Sequence, residues 1–423
     1  MERTHSRWNR LLGLALGTSM LSIGAASAAE LTVWNWDPNF NIPAMKDAGA
    51  RYTKTHPGTT FAINNISQDE INQKLQTQFL AGVSDGLPDI VLIQDDNIQR
   101  FLQSFPGVFV PLSDSVDMSK FAPYKVAAAT HDGKSYSLPF DSGVAGLFYR
   151  SDYLEQAGYK PADLQDITWN RLIEIGKDVL AKTGHQLINV DFNDDGIIIM
   201  MMLSAGQWYL KDGNQPHILD NAALKAAFEA YQGLTKAGLV KPVSGWADYT
   251  GAFTSGQIAM VPQGVWITGT IKSVPEHSGK WRVAPMPKLD GVEGATHFTN
   301  NGGSSWYVLS SSKNKDEAVD FLKTVWGGDV DFYQNILINQ GAVGSLLAAR
   351  EGKAYQASDA FFNNEPVWQN FSDWLAKVPS VNYGAYTPEA RMAVRAQMPA
   401  VAAGGSIDNA LKAIDAQLRQ QMQ

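Results

Sequence analysis

Four short runs in the chain combine aromatic rings with carboxylates and amides, or carry the carboxylates and amides alone: Trp34-Asn35-Trp36-Asp37, Gln94-Asp95-Asp96-Asn97, Pro139-Phe140-Asp141-Ser142-Gly143 and Asn300-Asn301-Gly302-Gly303-Ser304. A ring presents an apolar face, carboxylates accept hydrogen bonds, and amides both donate and accept them. Such groups suit a solute with a C–H face and a rim of hydroxyls, such as a sugar. The carboxylates Asp37, Asp95, Asp96 and Asp141 would also suit glycoside hydrolysis if two of them flanked one bond. Sequence does not place them in space, so binding and hydrolysis both stand at this point.

Other chemistries fit less well. Gly82-Val83-Ser84-Asp85-Gly86 has the form G-x-S-x-G, but a nucleophile elbow needs a strand before it and a helix after it. Here a helix precedes and a strand follows, so a helix-ending turn explains the same residues. Asp191-Phe192-Asn193-Asp194-Asp195-Gly196 imitates the first half of a calcium loop, yet the position of the bidentate Glu is Met202. A polar turn before a buried segment is the expectation. His56, His131, His185, His217, His277 and His297 form no metal-ligand spacing. There is no Walker A loop and no dinucleotide fingerprint, so neither metal nor cofactor is expected.

The elements that must position the four runs alternate between strand and helix. Strands are expected at 31–36, 61–63 and 90–93, the last a continuous apolar run as in a buried parallel strand. Helices are expected at 42–55 and after the capping box Ser67-Gln68-Asp69-Glu70, where Ile71, Leu75 and Phe79 share one face and Gly82 stops the run. Further helices fall at 169–182, 222–236 with Asp220 as N-cap and Gly238 as stop, 315–326 and 406–422. The alternation is that of an α/β fold, and the first two runs sit at strand carboxyl ends, where open sheets bind ligands.

The 423 residues suggest two lobes. Twelve Trp are more than core packing requires. The net charge of −8 argues against nucleic acid or anionic membrane as a partner. Residues 1–28 read as an export signal: Arg3, Arg7 and Arg10, an apolar 11–23 stretch, and Ala26-Ser27-Ala28 before the cut. No later stretch is long and apolar enough to span a membrane. Without cysteine there is no disulfide, no zinc–thiolate site and no lipid-attachment residue. A freely diffusing periplasmic protein, not inserted in the membrane, follows.

The ordered series LTVW (31–34), GVSDGLPDIVLIQ (82–94), LPFDSGVAGLFYRSDYLEQAGY (138–159), FTSGQIAMVPQGVW (253–266), WRVAPMPKLDG (281–291) and GGSSWYVLSSSKNKDEAVDFLK (302–323) resembles the extracellular sugar-binding proteins of carbohydrate ABC importers. It looks closest to their lactose-binding branch. The resemblance implies two α/β lobes joined by hinge crossings near 139–141, 300–303 and 341–344. The lobes would be 29–139 plus 303–342, and 140–302 plus 343–423. A monomer would close on a disaccharide or short oligosaccharide, with no bond broken, and present it to transmembrane permease subunits. Trp34 and Trp36 share a side of the first strand. Trp36, nearer its carboxyl end, is the expected sugar platform, with Asn35, Asp37, Gln94 and Asp95 binding hydroxyls from the same lobe. Asp141, Trp246, the G-x-W residue Trp266, and the Asn301-Gly302-Gly303 backbone would face them, with Trp208 a further candidate. A secreted carbohydrate-active enzyme and a binder of another solute, such as a polyamine, are the alternatives.

Overall fold

The computed structural model describes residues 29–423; the expected export signal, 1–28, lies outside the described residues. The first three strands, Glu30–Asn35, Thr60–Asn65 and Ile90–Gln94, pair in parallel, with Glu30–Asn35 between the other two. Ile90 to Ile93 are all buried, which matches an apolar run covered on both faces. Helix Asn41–Tyr52 covers one face with Ala44, Met45, Ala48 and Tyr52. Helix Gln68–Ala81 covers the other with Ile71 and Leu75, while Phe79 meets Phe101, Phe105 and Phe109. Ser67 accepts from the Glu70 N–H and Gly82 ends the helix in the left-handed region, as the capping pattern requires.

Two long strands carry the sheet from one lobe into the other. Leu138–Arg150 is buried along all 13 residues. Its first part pairs with Ser304–Trp306, and its second with Met260–Gly264 and Trp281–Ala284, all antiparallel. The second crossing strand, Thr299–Val308, also pairs with Ile90–Gln94. The resulting seven-stranded sheet runs Met260–Gly264, Leu138–Arg150, Thr299–Val308, Ile90–Gln94, Glu30–Asn35, Thr60–Asn65, with Trp281–Ala284 added on Leu138–Arg150.

The crossing strands shift register between Asn300 and Gly303, where their backbones press together. A Cβ on Gly143 would lie 2.5 Å from the Asn301 carbonyl. Gly303 has φ 98°, and a Cβ there would lie 2.8 Å from an Asp95 carboxylate oxygen. Gly303→Ala is therefore expected to destabilise the fold by about 2 kcal/mol, from backbone strain and crowding. Urea unfolding followed by tryptophan fluorescence checks this, and an unchanged midpoint would contradict it.

The second lobe wraps helices Trp169–Thr183, Ala222–Lys236, Thr387–Ala402 and Ile407–Gln421 around Gly196–Leu203, whose eight residues are all buried. The N-cap of Ala222–Lys236 is Asn221, accepting from Leu224 N–H, and not the expected Asp220. Asp220 sits one residue too early and pairs with Lys211 instead. The expected 315–326 helix is regular only over Lys315–Phe321 and continues as a π turn, Leu322–Trp326. Helix Val330–Gln340 packs back on the first lobe, where Asn335 bonds to Asp47 and Arg51 to Asp329. Gln334 of that helix also holds the following segment, bonding to Ala349 O at 2.8 Å and Ala354 N at 2.9 Å. Contacts with the second lobe resume at Asp359 with Lys272 and Glu365 with Arg282.

Candidate functional site

A cavity of about 930 Å³ opens between the lobes at the carboxyl ends of the first-lobe strands. The first-lobe wall begins where Glu30–Asn35 stops. Trp34 is taken into the apolar cluster with Ile71 and Leu75, and the Lys74 ammonium lies 5.4 Å from its ring. Trp36, past the strand end, is half-buried and lines the cavity. Asp37 has φ 64°, and its Oδ1 accepts from the N–H groups of Asn39 (2.8 Å) and Phe40 (3.1 Å). That turn aims Trp36 and opens the helix that brings Asn41 to the wall. Gln94 and Asp96 complete this side from the end of Ile90–Gln94.

The second-lobe wall is aromatic with a polar relay behind it. Trp246 and Tyr249, on helix Gly245–Thr254, stack at 5.5 Å and 14°. Trp266 leans on Trp246 at 5.8 Å. Its indole N–H donates to the Asn301 carbonyl at 2.9 Å. The Asn301 amide donates to Gln263 Oε1 at 2.5 Å, and Gln263 donates to the Tyr249 hydroxyl at 3.2 Å. Burial pushes the Tyr249 phenol well above its ordinary value, so it keeps its proton at neutral pH. Having accepted from Gln263, that hydroxyl can donate into the cavity. Asp191 accepts from Gly245 N–H at 2.8 Å and so fixes the start of the Trp246 helix. Burial lifts the Asp191 carboxyl, but N–H bonds from Gly245 and Asn193 outweigh it and hold it below the usual range. The Asp191–Gly196 run is thus a polar turn before a buried helix.

Ten of the twelve expected site residues line this one cavity: Trp36, Asp37, Gln94, Asp141, Trp208, Trp246, Trp266, Asn301, Gly302 and Gly303. Asp141 is 7% exposed and spends one oxygen on Ser304, accepting from its N–H and its hydroxyl. Trp208 is a wall and not an open platform, since it is 2% exposed, donates to Thr387 and meets Tyr383 edge-on. Two expectations are corrected. Asn35 is fully buried behind the wall, because it alternates with Trp34 and Trp36 along the extended chain. Asp95 is buried against the crossing strand Thr299–Val308, where its carboxylate accepts from Lys125 at 2.5 Å and Ser305 at 3.0 Å.

Sequence reasoning did not single out Tyr249, Gln263, Asn189, Tyr383 or Arg391, all on the cavity wall. Tyr249 was reachable, since it lies one helical turn from Trp246 on a common face. Arg391 carried no local signal, because its partners Asp96 and Asp195 are distant in sequence.

A family model described as bacterial extracellular solute-binding protein matches residues 47–363. A lactose-binding protein of Rhizobium radiobacter is 54% identical over 405 residues, covering 96% of each chain. Among solved structures, an extracellular solute-binding protein of family 1 superposes with a TM-score of 0.78 at 22% identity, over 92% of this chain and 99% of that one. An ABC-transporter-associated binding protein from B. animalis subsp. lactis, in complex with β-1,6-galactobiose, gives 0.72 at 22% identity, over 93% and 96%. These two likenesses carry the fold: two lobes with the cavity between them. With a family model matched over most of its length and a relative more than half identical, the chain belongs to the bacterial extracellular solute-binding proteins.

Proposed function

We propose that this protein captures a neutral disaccharide or short oligosaccharide in the periplasm and delivers it, as a monomer, to the transmembrane subunits of an ABC importer. The carrying observation is the interlobe cavity, with Trp36 on one wall, Trp246 and Trp266 on the other, and amides and carboxylates between them. Lactose is the proposed ligand, and the lactose-binding relative supports it. The rings take the C–H faces, and Tyr249, Gln94 and the hinge residues serve the hydroxyls. Asp37 and Asp141 each spend one oxygen on donors of their own chain, which fixes them as oriented acceptors on the wall.

The hinge is proposed at 139–143, at 300–303 and at a return after Gln356. The bonds of Gln334 to Ala349 and Ala354 support that return, which is later than the expected 341–344. Closure is favoured by contacts that the sugar makes with both lobes at once.

Calorimetry and tryptophan fluorescence with lactose, maltose, galactose and glucose test the reading. Saturable binding of lactose, recovered intact, is expected. No response to any of these sugars would sink the ligand class, and cleaved lactose would favour an enzyme.

A further inference from the structure

Arg391 stands on helix Thr387–Ala402 of the second lobe. Its guanidinium is held by Asp195 of the same lobe, with Nε at 3.2 and 3.3 Å from the two carboxylate oxygens and Nη2 at 3.0 Å. Asp195 has no exposed surface and also accepts from Arg395 at 2.8 Å and the Tyr209 hydroxyl at 3.1 Å. The remaining arm, Nη1, reaches across the cleft to Asp96 Oδ2 at 2.6 Å. Asp96 directly follows the first-lobe strand Ile90–Gln94. Two neighbours cross on the same flank: Arg100 with Glu389 at 3.2 Å, and the Asn214 amide with Gln103 at 2.7 Å.

We propose that Arg391 is a cross-cleft positioning residue: gripping Asp96, it draws the lobes together before any solute contributes. The consequence for binding rests on the capture reading above, but the closure itself does not. The pair with Asp195 lies within one lobe and survives opening. The bond to Asp96 joins two lobes and exists only when they are closed.

The division of labour sets the strength of the clamp. Asp195 keeps the Arg391 guanidinium paired in either state, so opening does not leave it without a counter-ion. At this pair, opening returns Asp96 and one arm of Arg391 to water. Their side chains are already 18% and 21% exposed, so the pair is a modest interaction. The clamp therefore biases closure without locking it, and it slows release of a bound solute. A locked cleft would neither admit nor surrender its ligand.

Asp96→Ala is the test, since changing Arg391 would leave buried Asp195 short of a partner, and it is read first in the sugar-free protein because Asp96 also lines the cavity. The chain lacks cysteine, so Leu80→Cys and Leu219→Cys, at sites 70% and 58% exposed, can carry spin labels in the two lobes. Pulsed electron–electron distance measurement on the sugar-free protein is expected to show a short, closed population. That population should shrink on Asp96→Ala and return on Asp96→Glu. With lactose as the probe, dissociation should speed up about threefold to tenfold in Asp96→Ala. Identical distance distributions for the sugar-free parent and Asp96→Ala would overturn the clamp. Failure of the parent to bind any saccharide would overturn the capture reading, and the sugar-free distances would still judge the clamp.

Discussion

Trp266→Ala should weaken solute binding about 100-fold, which corresponds to roughly 2.7 kcal/mol. The indole is more than a platform. Its N–H caps the Asn301 carbonyl, and Asn301 in turn orients Gln263 and through it the Tyr249 hydroxyl. Its ring also lies on Trp246, which is 55% exposed and is otherwise held by its stack on Tyr249. Truncation thus removes an apolar face and releases a chain of donors at the same time. Trp266→Phe keeps a face and loses the N–H, so a loss of about tenfold is expected. Calorimetry with lactose measures both, with circular dichroism to show that the fold persists. Binding within twofold of the parent in Trp266→Ala would mean that the solute sits elsewhere.

The largest effect on stability is expected at Lys125. Its side chain has no exposed surface, that of Asp95 is 3% exposed, and the ammonium also donates to Ser304 O at 2.8 Å. Lys125→Met would leave a buried carboxylate without its cation, at a cost of about 4 kcal/mol. The same pair predicts a pH dependence of defined sign. Burial pushes the Asp95 carboxyl up to about 6, and the attraction of Lys125 only partly opposes it. The folded state therefore binds this proton more tightly than the unfolded chain, and protonation favours folding. Relative to Asp95→Asn, the parent should gain stability as pH falls from about 7 to about 4, and the difference should level off above about 7. In Lys125→Met the opposing attraction is gone, so this gain should begin at higher pH. Urea unfolding across pH 4–8 measures all three proteins. A parent-minus-Asp95→Asn difference that is flat with pH would falsify the assignment.

Local order was legible where one short-range rule dominated. The apolar run Ile90–Ile93 became a strand covered on both faces, and Ser67 and Gly82 bounded a helix as their conformational preferences require. The cluster 300–304 was marked by its glycines, and Gly303 does need positive φ. The failures have a different origin. Asn35 and Asp95 are neighbours of true cavity residues, and one step along an extended chain turns a side chain from the cleft into the interior. Asp220 lost its capping role to the adjacent Asn221, a choice between two competent residues that local preference does not decide.

Neighbouring residues were enough to specify α/β units with aromatic and polar residues at their ends, since periodicity, caps and glycines act within a few residues. Packing through space settled which of those residues share a cavity, that Asp95 pairs with Lys125 beside the crossing strands, and that Arg391 spans to Asp96. Those pairings join residues 30 and 295 apart, and a contact made through space leaves no periodic trace along the chain.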